Sequence, residues 1–227
     1  MKLDEASRVI LSHIFSTKEI ALDKLDITTK QKCENIFSSL GYDISSFFNH
    51  KEFSDHLKGD IMLKLVEKGT DISSIFAYLD WKGFEIIISS IFDKLGFTIL
   101  QNFRFKDEFT KYEIDVLAFK FPYLFIIDCK HYKNPTSSIM KSAAIKQKER
   151  AEVLLDVFPI LYDELVSKLN LPIKRQIYLY PLLISWRNHD IQFYQNVPIV
   201  AFSQLSGFLQ EIDEFRFNLF YLPIKID

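Results

Sequence analysis

The chain has 227 residues, a formal net charge of −2 at pH 7 and 48% hydrophobic residues, enough for one large domain or two small ones. This charge argues against a protein that coats nucleic acid indiscriminately, although a local basic strip remains compatible with it. Two cysteines supply neither a disulfide framework nor a zinc ligand set, so we expect a reducing, cytoplasmic location. We expect no secretory signal, and no stretch approaches the ~18 apolar residues of a membrane helix.

Residues 1–77 have the pattern of a small all-helical domain. Apolar residues at helical spacing predict a first helix over 5–15. A capping-box pattern from Ser16 predicts a second helix, and Thr28 begins a third that stops before Gly41. A further helix is expected over 55–68.

Three short helices joined by tight turns resemble a helix-turn-helix or winged-helix module. Lys30, Gln31 and Lys32 would lie near the start of its recognition helix, where base contacts are usually made. The alternative is a helical domain that serves packing or dimerisation.

Residues 78–227 contain a different order of elements. A helix that ends near 95, with a break near Asp80, precedes three strands over 97–105, 111–120 and 124–130. A long helix over 137–169, interrupted at Pro159, is followed by strands over 175–185 and 197–200. A helix capped by Ser203 and a strand in the tail complete the chain. The order is αβββαβ followed by βα, which predicts an α/β fold.

Charged residues stand in two of these apolar strands. Because side chains alternate along a strand, Asp128 and Lys130 share one face, while the Cys129 carbonyl stays near the same site. A hairpin would bring Asp115 beside Asp128, where two carboxylates repel each other unless a cation lies between them. Carboxylates, waters and a substrate phosphate are ligands that Mg²⁺ favours. We therefore expect Lys130 to act on a water or to stabilise transition-state charge at a metal site.

Two neighbouring features extend this constellation. Glu85 shares a helical face with large apolar residues, so it should face the sheet. Segment 130–150 has six basic residues and one acidic residue, a net charge of +5, where a phosphate backbone would lie. Taken singly, Glu85 could be a rim residue, Asp115 a strand-end acceptor, and the segment a solvated helix face. The candidate nucleic-acid contacts of segment 130–150 are Lys133, Lys141, Lys146, Lys148 and Arg150.

Glu85, Asp115 and the run Asp128-Cys129-Lys130, on an αβββαβ order, resemble the PD-(D/E)xK nuclease superfamily. With 81–84 before Glu85, the pattern is most similar to Mrr-type restriction endonucleases, and archaeal Holliday-junction resolvases share its layout. The resemblance covers about residues 78–213. It departs from relatives that have Glu at the position of Asp128. It also lacks a Gln-x-x-x-Tyr signature, which argues against an end-resecting role.

The resemblance implies a restriction-endonuclease-like core with a mixed sheet flanked by helices, Mg²⁺ or Mn²⁺ dependence, and DNA cleavage. Asp115 and Asp128 resemble the metal ligands, and Lys130 the catalytic lysine. Glu85 resembles the helix-borne acid, and the Cys129 carbonyl a backbone ligand.

We therefore expect a two-domain DNA endonuclease, acting as a homodimer because cutting both strands of a duplex needs two sites or two visits. The first alternative is a DNA-binding or regulatory protein that has a nuclease-like fold and does not cut. The second is a structural partner in a larger complex, with the aromatic surplus at an interface.

Overall fold

A computed structural model describes residues 4–15, 24–43, 53–70, 75–76, 79–132 and 136–226. The chain divides into two compact units, Met1–Ile91 and Phe92–Asp227. The sequence-based domain boundary after residue 77 stays a prediction. Six α-helices and a mixed seven-stranded sheet make this an α/β protein within the described residues.

The secondary-structure elements described in the first unit are all helices. It contains α1 (Glu5–Phe15), α2 (Ile27–Ser38), α3 (Asp55–Glu67) and most of α4 (Trp81–Lys94). Helices α1, α2 and α3 confirm three of the helices predicted within residues 1–77, and α4 confirms the helix predicted to end near residue 95. Most of the predicted second helix lies outside the described residues. The start of α2 differs from the prediction, because the side chain of Asp26, not of Thr28, accepts the cap bond from Thr29 N at 3.0 Å.

In the first unit, the Ser90 side chain of α4 packs against the backbone of α3 at Gly59. A Cβ built on Gly59 would stand 1.7 Å from Ser90 Oγ and 2.7 Å from Ser90 Cβ. Gly59 is therefore needed for the close approach of these helices, not for a turn.

The predicted apolar stripe of α4 is only partly buried. Trp81, its first residue, is 61% exposed, whereas Glu85 is 8% exposed.

The second unit is built on a sheet with strand order β1-β2-β3-β4-β6-β5. Antiparallel ladders join β1 to β2, β2 to β3 and β5 to β6, whereas β3, β4 and β6 are parallel. Strand β7 pairs antiparallel with β4. The strands are β1 (Thr98–Lys106), β2 (Lys111–Lys120), β3 (Tyr123–Lys130), β4 (Arg175–Ser185), β5 (Phe193–Tyr194), β6 (Val197–Ala201) and β7 (Leu222–Ile226).

Two strands share one edge of β4, and the proline in β4 marks the division between them. Strand β7 pairs with β4 as far as Leu179, and β6 pairs with it from Leu183 onward. Pro181 lies between these two ladders. A proline has no N–H to donate, so it is tolerated in this central strand where neither neighbour needs that bond.

Helix α5 (Ser137–Leu169) covers one face of the sheet. Leu124 and Ile126 of β3 share a buried core cluster with Ala151 and Leu154 of α5. The predicted interruption at Pro159 is wrong, because α5 continues through this residue. The start of α5 is capped by Thr136, which accepts a hydrogen bond from Ile139 N at 3.4 Å.

Helix α6 (Leu205–Phe215) follows β6 through a 3₁₀ turn over Phe202–Gln204. The prediction that Ser203 caps this helix is wrong, because its hydroxyl is hydrogen-bonded to Asn188 Oδ1 at 2.8 Å. Strand β5 carries no apolar run of its own and was not predicted. Among the described residues, no helix combines the length and apolar character required to cross a membrane.

We expect Gly59→Ala to destabilise the first unit by about 1–3 kcal/mol, because the added methyl group overlaps Ser90 and forces the helices apart. Urea unfolding followed by circular dichroism measures this change. Gly207→Ala is the matched control, since a Cβ at Gly207 in α6 meets nothing within 4 Å. We expect it to be neutral or to stabilise by about 0.5–1 kcal/mol. Equal stability of Gly59→Ala and the wild type would contradict the close packing.

Candidate active site

Strands β2 and β3 place two carboxylates side by side at one end of the sheet. Their antiparallel ladder pairs Val116 with Ile127, and one further step of this register sets Asp115 opposite Asp128. There the Asp115 side chain accepts a hydrogen bond from the Cys129 backbone N–H, with Oδ2 2.7 Å from the nitrogen. The predicted pairing of the two acids follows from this register and lies on the face that α5 covers.

The carboxylate of Asp128 is held between two cations. Lys130 Nζ lies 2.5 Å from Oδ2, and Arg150 Nη1 lies 3.1 Å from Oδ1. The Asp128 side chain is 7% exposed, while those of Lys130 and Arg150 are 23% and 20% exposed. Two charge-assisted contacts compensate the desolvation of this nearly buried carboxylate.

A buried glutamine connects this ion-pair cluster to the sheet. Gln147 is fully buried on α5, and its Nε2 donates to the Ile126 carbonyl at 2.7 Å. Its Oε1 accepts a hydrogen bond from Arg150 Nη1, the atom that also contacts Asp128. Both ends of the amide are therefore used, and Gln147 orients Arg150 toward the acid. Local sequence does not indicate this role: Ala151 stands four residues after Gln147, so the Gln-x-x-x-Tyr signature is lacking there.

The protonation of Asp115 and Lys130 reflects their shared environment. Burial, followed by repulsion from Asp128, raises the pKa of Asp115 to about 6. Burial opposes the charged form of Lys130, but attraction to the Asp128 carboxylate outweighs it and raises the pKa of the ammonium group. Lys130 therefore holds its proton at neutral pH, while Asp115 titrates close to the physiological range.

The cluster opens into a pocket of about 280 Å³. Lys146 lies one helical turn before Arg150, and both side chains line this pocket. In the described part of the chain, no carboxylate lies within ion-pair distance of Lys146. The pocket therefore sets cationic and hydroxyl groups around Asp128. The complete lining comprises Asp128, Lys130, Tyr132, Ser138, Ile139, Ser142, Ala143, Lys146 and Arg150.

The basic residues of α5 are divided between two faces of the helix. Lys146 and Arg150 face the pocket, whereas Lys141 lies over the Tyr194 ring and Lys148 over the Phe220 ring. Their ammonium groups lie 5.6 Å and 4.6 Å from the ring centroids. Lys133 lies outside the described residues. The run of positive charge in the sequence is thus not one continuous surface in the structure.

The other candidate residues lie in the first unit. Glu85 is buried on α4, and its grouping with Asp115 and Asp128 stays a prediction. Lys30, Gln31 and Lys32 are all exposed in the first half of α2, and Lys32 Nζ lies 4.0 Å from Asp4 Oδ2. Their exposure is compatible with a DNA-reading helix, which also stays a prediction.

The donor set of the second unit fits a hard divalent cation. Asp115 and Asp128 supply oxygen ligands, and burial together with the nearby Asp128 carboxylate raises the pKa of Asp115. Among the described residues, no group of three or more His, Cys, Asp or Glu side chains is placed to hold a metal. A cation here would therefore rely on two carboxylates together with backbone, water or substrate oxygens, a ligand set typical of Mg²⁺.

Comparisons with known proteins do not identify this chain. No family model matches it. No curated protein matches it either. A solved structure described as "Protein of Unknown Function AF1548" is similar over 53% of this chain and 56% of its own length, with 16% sequence identity and a TM-score of 0.32. This chain thus spans little more than half of that protein, and so slight a likeness supports no argument about fold or function.

We expect Asp115→Asn to be more stable than the wild type at neutral pH when no divalent cation is present. A folded-state pKa of about 6, above the ordinary value of 3.8, means that the protonated carboxyl stabilises the fold below about pH 4. This contribution is lost as the pH rises through about 6. Asparagine does not ionise, so its advantage should grow between pH 4 and 7 to about 1–3 kcal/mol. Urea unfolding in EDTA across this range measures it.

Glu113→Gln is the control for this series, because Glu113 lies on the same strand, is 46% exposed, and pairs with Arg104. An exposed ion pair contributes little, so this variant should follow the wild type at every pH. A stability difference between Asp115→Asn and the wild type that is the same at pH 4 and pH 7 would contradict the raised pKa.

Proposed function

We propose that this protein is a metal-dependent DNA endonuclease that hydrolyses phosphodiester bonds. The observation that carries the proposal is the adjacent pair Asp115 and Asp128, with Lys130 Nζ 2.5 Å from Asp128. Asp128 and Lys130 also line a pocket with Lys146 and Arg150. Two acids and a lysine on one face of neighbouring strands provide what phosphodiester hydrolysis needs, namely a hard-cation site beside a fixed positive charge.

The proposal assigns a separate task to each polar group. Lys130 stays protonated, so its ammonium group stabilises the negative charge that develops on the phosphate rather than acting as a base. Asp115 has a pKa near 6, so its carboxylate is available above that pH to bind a cation or to orient water. Lys146 lines the pocket and would contact a neighbouring phosphate of the strand.

Mg²⁺ or Mn²⁺ would be held by Asp115, Asp128 and the Cys129 carbonyl, while the role of Glu85 as a further acid stays a prediction from the sequence. When bound, such an ion supplies Lewis-acid activation of water and of the phosphate. The Cys129 N–H already fixes Asp115 through a 2.7 Å hydrogen bond, so the strand orients this ligand before any cation binds.

The proposed nuclease identity extends to the architecture of the chain. The element order from α4 to β4 is αβββαβ, which supports a restriction-endonuclease-like core with helices on a mixed sheet. We propose that the helical first unit positions the DNA through α2, and that two copies of the chain act together on the two strands.

A second candidate function is DNA binding without cleavage. The observation that favours it is that Lys130 and Arg150 contact both oxygens of Asp128 and already neutralise this acid without a metal. In that case Arg150 and Lys130 would serve the stability of the site, and the pocket would hold a phosphate only.

The direct test is cleavage of linear, circular and branched DNA by wild type, Lys130→Ala and Lys168→Ala, each with Mg²⁺, Mn²⁺ or EDTA. We expect cutting by the wild type only with a divalent cation, and a loss of at least ~100-fold in Lys130→Ala. Lys168→Ala is the matched control, because Lys168 pairs with Glu164 near the far end of α5. Its activity should equal that of the wild type.

Metal-dependent cutting that survives in Lys130→Ala would exclude the assigned role of this lysine. No cutting by the wild type under any condition, together with DNA binding in EDTA, would favour the second candidate.

The two faces of α5 predict different effects of lysine substitutions on DNA affinity. We expect Lys146→Ala to weaken binding and to reduce the slope of log K against log salt by about 1, because a phosphate contact is lost. Lys148→Ala should have a smaller effect, since its ammonium group lies over the Phe220 ring. Fluorescence anisotropy at several salt concentrations measures both. Equal losses in the two variants would mean that DNA does not enter the pocket lined by Lys146.

A further inference from the structure

We infer that Arg150 and a divalent cation compete for Asp128, and that cation binding transfers the Arg150 guanidinium from this acid to a substrate phosphate. The inference rests on the proposed function, because it needs a metal at Asp128. It adds a role for Arg150 that neither the motif nor the donor set assigns, that of a positioning residue which couples metal binding to substrate binding.

The contacts of Arg150 are those of a side chain held in place for one partner. Its Nη1 lies 3.1 Å from Asp128 Oδ1 and donates to the Gln147 amide oxygen. Gln147 is itself anchored to the Ile126 carbonyl. A guanidinium has five N–H donors, so the nitrogens other than Nη1 leave capacity for a further acceptor. Because Arg150 lines the pocket, such an acceptor can approach from that side.

The charges of the cluster explain why a cation that binds Asp128 must displace Arg150. The charges of Asp115, Asp128, Lys130 and Arg150 sum to zero when all four are ionised, so these four groups balance one another without a metal. A divalent ion at Asp128 would bring two positive charges against Arg150 and Lys130, whose side chains are only about one-fifth exposed. Repulsion of this kind is strong where solvent screening is weak. Lys130 is fixed by the end of β3, whereas the longer Arg150 side chain reaches Asp128 from α5.

A substrate phosphate restores the balance. It supplies negative charge to the pocket where Lys146 and Arg150 meet, and a guanidinium matches phosphate geometry well. Arg150 released from Asp128 would therefore gain a new partner without leaving the pocket. Metal and DNA should then strengthen each other's binding, since coupling between two ligands is reciprocal.

The test is calorimetric titration of Mn²⁺ into wild type, Arg150→Gln and Lys168→Gln. Removal of the competing cation should tighten Mn²⁺ binding by about tenfold in Arg150→Gln. Lys168→Gln removes the same charge near the far end of α5, where Lys168 pairs with Glu164, and should match the wild type.

Equal Mn²⁺ affinity in wild type and Arg150→Gln would overturn the inference while the proposed metal site stands. No Mn²⁺ binding in any of the three proteins would overturn both the inference and the metal-dependent function.

A second measurement uses the wild-type protein and does not depend on the folding of a variant. The ¹⁵N-labelled Nε–H resonance of Arg150 is followed during a Mg²⁺ titration. We expect it to shift as the guanidinium leaves Asp128, and to shift again when a short duplex is added. A resonance that is unchanged at saturating Mg²⁺ would show that Arg150 keeps its place, and would overturn the inference.

DNA affinity separates transfer to phosphate from simple displacement. In EDTA, Arg150 is engaged by Asp128, so Arg150→Gln should bind a duplex almost as well as the wild type. In Ca²⁺, under conditions where no cleavage is detected, the same substitution should weaken binding by about tenfold. A loss of the same size in EDTA and in Ca²⁺ would contradict the transfer.

Discussion

Two carboxylates lie side by side at the end of an apolar sheet, and the surrounding residues compensate their repulsion. Burial, followed by repulsion from Asp128, raises the pKa of Asp115, and a hydrogen bond from the Cys129 amide opposes this rise. Asp128 is held by Lys130 from its own strand and by Arg150 from α5. Removal of either cation would leave this nearly buried carboxylate with one charged partner instead of two, which weakens the compensation for its burial. The cluster therefore links β2, β3 and α5 at one point.

Much of the second unit could be predicted from hydrophobic patterning. Strands β2 and β4 begin and end where the sequence indicated, because their apolar runs are bounded by charged or turn-forming residues. The features that the sequence predicts wrongly depend on tertiary contacts. Pro159 was expected to interrupt a helix that continues through it, and the Ser203 hydroxyl is bonded to Asn188 instead of a helix end. Neither outcome can be deduced from local sequence.

Part of the candidate site could also be predicted from sequence patterning, because side chains alternate along a strand. Alternation along β3 places Asp128 and Lys130 on one face, and a hairpin is enough to bring Asp115 beside them. The role of Arg150 was not predictable, because it depends on the rotation and position of α5 over the sheet. Its spacing from Lys146 does identify a shared helix face, but nothing in the sequence says that this face meets Asp128.

The amide of Gln147 has a consequence for the precision of this arrangement. Its nitrogen is bonded to a main-chain oxygen of β3 and its oxygen to the guanidinium of Arg150, so the side chain spans a fixed interval between strand and helix. Asparagine would be one methylene too short for that interval, and glutamate would present an acceptor to the Ile126 carbonyl. The length of the Gln147 side chain thus sets the distance between α5 and β3, the strand that carries Asp128.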